Sequence, residues 1–176
     1  TGTTNDHLTF AHEFGHFCND YASYGSMVGT DVAEIFSQGM EYLSLFYCKD
    51  TEMLTKIKMV DSLSVFVEQS AYAEFERRAY ELKGDALTGE NLTTLFGDVA
   101  MEFGFGDLGA NKIFFTQITH FYTNPMYVFS YVVSNDAAMQ LYQMEVKESG
   151  AGLELFLEQL ATEEEDFLAF VEAAGL

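Results

Sequence analysis

His12 and His16, four residues apart with Glu13 beside the first, are the side chains in this chain whose types and spacing could do chemistry together. Residues four apart on a helix lie one above the other on one face, so two imidazole nitrogens can meet a single metal ion. Glu13, one position round, can reach the open side of that ion, where a bound water would sit. A catalytic zinc takes three protein ligands and leaves the fourth position for water. Glu34, in Ala33-Glu34-Ile35-Phe36-Ser37-Gln38, is the best-placed third ligand, because enough chain separates it from His12 for one helix to end and a second to return alongside. This pattern reads as a zinc peptidase site. The bland alternative is a pair of helix-surface histidines with an accidental glutamate between them.

Further candidates lie around this trio and further along the chain. Glu34, Gln38 and Glu41 fall at i, i+4 and i+7, a polar stripe on an otherwise apolar segment. Such a stripe is ordinarily exposed, but with Ile35, Phe36, Met40, Leu43 and Phe46 taking the other directions it can point inward at a metal. Glu41 could then hold the second ring nitrogen of a ligating histidine, a common device around metal sites. Asp20, four past His16, is a rival for that job. A zinc hydrolase also needs donors for the oxyanion formed when water attacks a carbonyl, and Tyr and His side chains suit that role. His120, Tyr122, Tyr127 and Tyr131 supply them in one segment, although aromatic residues at helical spacing are as readily core.

The elements that must position these groups are helices. Asn5 or Asp6 can cap a first helix over about His7 to Tyr24, and Gly15 in its interior points either to a close approach or to a tolerated cost of about 1 kcal/mol. Gly25 and Gly29 bracket a turn, and a second helix runs from a cap at Thr30 or Asp31 to about Tyr47. A long helix follows from Asp50 or Thr51 to about Lys83, in which Glu68, Glu74, Glu76, Arg77 and Arg78 read as solvated charges. Another is expected over Leu92 to Phe103. Pro125 suits the first turn of a helix reaching about Val146, and two short helices close the chain, the last introduced by Thr162-Glu163-Glu164-Glu165. Gly104-Phe105-Gly106-Asp107-Leu108-Gly109 matches the dinucleotide fingerprint formally, but no strand precedes it, so it reads as a connection. No convincing strand is found, and the architecture is all-α.

Composition narrows the classes of function. The chain has 176 residues, 48% apolar and 15% aromatic, enough for a single α-helical domain over residues 1–176 with a sizeable core. Its 28 acids against 8 Lys and Arg give a net charge of -20, which argues against nucleic acid and anionic membranes as partners. The most apolar run, Ile113 to Val133, is interrupted by His120, Asn124 and Pro125 and does not read as a membrane span. Cys18 and Cys48 make no disulfide framework, and a reduced, cytoplasmic setting is the simpler expectation. The chain opens at Thr1, close before the metal motif, and little of it precedes an active site that needs walls on all sides. A fragment of a longer polypeptide is therefore expected.

The chain resembles the C-terminal part of the catalytic domain of the oligoendopeptidase F family, among the thimet-oligopeptidase-like zinc metallopeptidases. The resemblance rests on Phe10-Ala11-His12-Glu13-Phe14-Gly15-His16, on Ala33 to Gln38 followed by Glu41, on Ala73-Glu74-Phe75-Glu76, and on His120-Phe121-Tyr122 with Pro125-Met126-Tyr127. It implies a zincin-type, multi-helix catalytic domain with the metal motif on the first helix and the third ligand on the second. It implies one zinc ion on His12, His16 and Glu34, Glu13 as general base, and His120 with Tyr127 or Tyr131 polarising the carbonyl or binding substrate. Short peptides would be the substrates, and the missing N-terminal part of the same polypeptide would be a partner. The chain departs from the family at Asn19, where a histidine is frequent, and at Phe36, where proline or alanine is. The rival expectation is an inactive relative, a metal-binding helical module acting as a binding or regulatory protein.

Overall fold

The computed structural model describes residues 4–106 and 111–176, and among them all regular structure is helical. The helices described are α1 (Thr4–Ala22), α2 (Thr30–Tyr47), α3 (Glu52–Glu81), α4 (Gly89–Glu102), α5 (His120–Thr123), α6 (Tyr127–Lys147), α7 (Ala151–Gln159) and α8 (Phe167–Ala174). Short 3-10 turns stand at Gly84–Ala86 and Phe114–Gln117. The Gly104 to Gly109 stretch falls partly outside the described residues. No described helix is long and apolar enough to cross a membrane.

The chain gathers into two compact units. One takes the residues up to Leu63 together with Val133–Leu176, and the other is Ser64–Val132. The boundaries fall inside α3 and α6, so no linker composition announces them.

The first unit is built on the pairing of α1 with α2. Gly15 explains how close they come: a Cβ there would lie 2.3 Å from the Phe36 carbonyl oxygen and 2.7 Å from the Ser37 Cα. The interior glycine is therefore a contact point between two backbones, which outweighs its helix-propensity cost. Behind α2 lies the core of Val32, Ile35, Phe36, Leu43, Ala137, Leu141, Phe156 and Phe170, with the Phe36 ring edge-on to Phe156 and Phe170. Burying such side chains contributes about 1.5–3 kcal/mol each. The polar face of the same unit is pinned as firmly. Glu145, fully buried, accepts from the Tyr47 hydroxyl at 2.6 Å and from the amides of Gly150 and Leu153 at the start of α7. Burial opposes its charge, but these donors hold the carboxyl below its ordinary range.

The second unit packs the distal part of α3 against α4 and the Phe114–Gln117 turn. Its core is Ala71, Tyr72, Ala73, Phe75, Phe96, Val99, Phe115 and Val128, with Phe75 meeting Phe96, Phe115 and Phe121 at ring-centroid distances of 5.2–5.4 Å. Arg77 and Arg78 are occupied by Glu74, Glu81 and Glu102, as solvated surface pairs. Glu76 is different. Read in sequence as a solvated charge, it is only 4% exposed, because it lies on the face of α3 that carries Tyr72 and Phe75 inward.

Several helix ends differ from expectation. α1 begins at Thr4, placing Asn5 and Asp6 in its first turn rather than at its cap. Thr30 opens α2 behind Gly29. The last helix is capped by Asp166, whose side chain accepts from the Ala169 amide at 2.9 Å, and not by the Thr162 run. α6 starts two residues beyond Pro125, after Met126 at φ 60.

Candidate metal centre

Glu34, Gln38 and Glu41 all face inward: they are 1%, 4% and 8% exposed. The alternative of an exposed polar stripe on α2 is thereby removed. With Gly15 letting α1 settle onto α2, the three side chains expected to ligate a metal converge. Glu34 Oε2 lies 3.5 Å from His12 Nε2 and 3.8 Å from His16 Nε2, and one donor atom from each residue falls within 4.8 Å of the others. The imidazoles of His12 and His16 stand nearly perpendicular, with centroids 5.0 Å apart. Donors about 2.0–2.2 Å from a tetrahedral ion lie roughly 3.3–3.6 Å from each other, so the observed 3.5 and 3.8 Å need only a small contraction to hold an N,N,O-bound cation. Two imidazoles and one carboxylate are donors that several divalent transition-metal ions accept.

Two members of the trio, Glu34 and His12, are held from behind. The Ser37 hydroxyl, one helical turn along α2, donates to Glu34 Oε2 at 2.8 Å. His12 Nδ1 meets Glu41 Oε1 at 2.8 Å, while Glu41 Oε2 pairs with Lys58 Nζ at 2.7 Å. The Lys58 ammonium also sits 4.9 Å from the centre of the Tyr42 ring, and the Tyr42 hydroxyl donates to Ser62. His7 Nε2 and Ser44 Oγ, 3.1 Å apart, add another polar tie between α1 and α2.

The electrostatics follow from this chain of contacts. Burial of the His12 ring disfavours its charge. The Glu41 hydrogen bond and the carboxylates of Glu34, Glu41 and Glu13 outweigh that, so its pKa lies above the ordinary 6.5. Burial likewise disfavours the Glu41 carboxylate, but His12 and Lys58 bring its pKa below the usual 4.5. Glu41 is thus held as an anion that accepts from His12, which leaves Nε2 as the nitrogen free for a metal.

Of the remaining sequence candidates, Glu13 is exposed on α1 beside His12. Asp20 is exposed too, while the imidazole partner in the site is Glu41. Asn19 is 1% exposed and donates to the Leu160 carbonyl oxygen at 2.8 Å, a structural tie between α1 and the end of α7. His120, Tyr127 and Tyr131 form their own cluster in the second unit. The Tyr127 ring stacks on His120 with centroids 4.4 Å apart, and the Tyr131 hydroxyl lies 3.5 Å from His120 Nε2. Lys58 and Ser37 had not been singled out as site residues. Ser37 carried a signal, being a hydroxyl one turn past a candidate ligand. Lys58 carried none: it stands two residues after Lys56, between Ile57 and Met59 on α3.

Comparison of the chain with models of protein families, with curated proteins and with solved structures finds no match in any of the three.

Proposed function

We propose that this chain carries the metal site of a zinc peptidase that cleaves internal bonds of short peptides, in the manner of the oligoendopeptidase F family it resembles. The observation that carries the reading is the convergence of His12, His16 and Glu34 beside the exposed Glu13 on α1. A zinc ion in such a site supplies Lewis acidity and lowers the pKa of a coordinated water toward about 7. The chain's own groups do the rest. Glu13 takes the proton of the attacking water and passes it to the leaving amine. His12 is kept in one tautomer by Glu41, and Glu34 in one rotamer by Ser37. Open space of about 300 Å³ lined by Leu8, Thr9, His12, Glu41 and Asp61 touches the trio at His12, on the side of Glu41. The carbonyl-polarising role that the resemblance gives His120, Tyr127 and Tyr131 belongs to the same proposal.

The test is metal analysis together with hydrolysis of a quenched peptide mixture, with and without chelator. One zinc per chain is expected, and Glu13→Gln should keep it while losing about 10²–10⁴ in turnover. Undiminished cleavage by that variant would remove Glu13 from its role. Zinc retained without cleavage by the complete polypeptide would favour the non-catalytic metal-binding module.

A further inference from the structure

The second unit contains a cavity unrelated to the metal trio. It has a volume of about 400 Å³, in the range of small-molecule sites, and its walls are mostly apolar, with Phe75, Phe115, Phe121, Leu82 and Leu92 among them. One acid lies in that lining: Glu76, 4% exposed. Its Oε1 is doubly used, accepting from the Tyr80 hydroxyl at 2.8 Å and the Met126 amide at 2.7 Å. Its Oε2 is buried and has no hydrogen-bond partner among the described residues. A buried carboxylate oxygen without a donor costs stability, and native proteins retain such groups chiefly where something else supplies the donor. Tyr80, Leu87 and Tyr122, 54%, 57% and 63% exposed, form the solvent-facing rim of the cavity.

We propose that this cavity binds a small hydrophobic primary ammonium ion, its apolar part against the phenylalanines and its N–H donors on Glu76 Oε2. The chemistry is selective on both counts. The aromatic lining favours an apolar body and tolerates a cation over ring faces. The free acceptor oxygen demands a donor and rewards a positive one, because charge-assisted hydrogen bonds are roughly twice as strong as neutral ones. A net charge of -20 further raises the local concentration of small cations and disfavours anionic ligands.

The experiment titrates the whole chain with phenethylamine and with 2-phenylethanol, its neutral near-isostere, following amide chemical shifts by NMR. Saturable binding of the amine is expected, with shifts centred on Phe75, Glu76, Phe115 and Phe121, and affinity at least tenfold above that of the alcohol. Glu76→Gln should abolish the preference for the amine. Because Glu76 also holds the Met126 amide, a second variant, Leu87→Trp, fills the cavity from its exposed rim and should block the amine while the rest of the spectrum stays put. Equal binding of amine and alcohol, amine binding that survives Leu87→Trp, or no saturable binding by the wild-type chain would each overturn the proposal. Chelator should leave the titration unchanged, which separates it from the metal site.

Discussion

Glu41 stands between a candidate metal ligand and a buried lysine, with Oε1 2.8 Å from His12 Nδ1 and Oε2 2.7 Å from Lys58 Nζ. A carboxylate in that position fixes which way the imidazole turns and which nitrogen it offers. Glu41→Ala should therefore lower zinc affinity about 10–100-fold without removing any direct ligand. Competition against a chromogenic chelator measures it. Unchanged affinity would show that His12 is oriented by the helix alone.

The lysine on the far side of Glu41 makes a different prediction, about folding. Both charges are almost wholly withdrawn from water, with side chains 8% and 10% exposed. Removing one member of a buried pair strands the other, at a cost of about 3–5 kcal/mol. Lys58→Met should lower the unfolding free energy by that order in urea denaturation, and Lys58→Met combined with Glu41→Gln should recover part of it. A double variant no better than the single would mean that the stacking of Lys58 on Tyr42, rather than the ion pair, is what matters.

How much of this was legible in the sequence depends on whether the relevant contact is local. His12 with His16, and Glu34 with Gln38 and Glu41, are set by the helical repeat, so their faces can be read directly from spacing. The direction in which the Glu34 face points is a tertiary fact. Gly15 was ambiguous for the same reason, since nothing local says which backbone will approach it. Lys58 was invisible because its partner lies on another helix, and Glu76 was misread because an acid among Glu74, Arg77 and Arg78 looks solvated until the helix face is known. The division into two units could not be seen at all, as its boundaries run through continuous helices.

Gly15→Ala tests the close approach. The added Cβ would meet the Phe36 carbonyl oxygen and the Ser37 Cα, backbone atoms that cannot rotate away. α2 has to move, and overpacking of this kind costs about 1–3 kcal/mol. Glu34 and Ser37 ride on α2, so the same variant should weaken zinc binding as well as lower Tm. Thermal unfolding with and without zinc separates the two effects. A Tm equal to wild type would show that α1 and α2 have slack between them.

The raised pKa of His12 ties metal binding to pH. In the metal-free chain the protonated ring, stabilised by Glu41 and the neighbouring acids, supports the fold fully below the ordinary value of 6.5. That contribution is lost as pH rises through the higher folded-state value. A metal needs the same ring neutral, so zinc must displace the proton that Glu41 and its neighbours help to retain. Affinity should fall about tenfold per pH unit below the His12 pKa for this one proton, with the fall beginning above pH 6.5. Calorimetry in two buffers of different ionisation enthalpy, near pH 7, should register fractional proton release on zinc binding. In Glu41→Ala the carboxylate that does most to raise the pKa is gone, so release at that pH should shrink and the onset of weakening should move to lower pH. Proton release identical in wild type and variant would separate Glu41 from the charge state of His12.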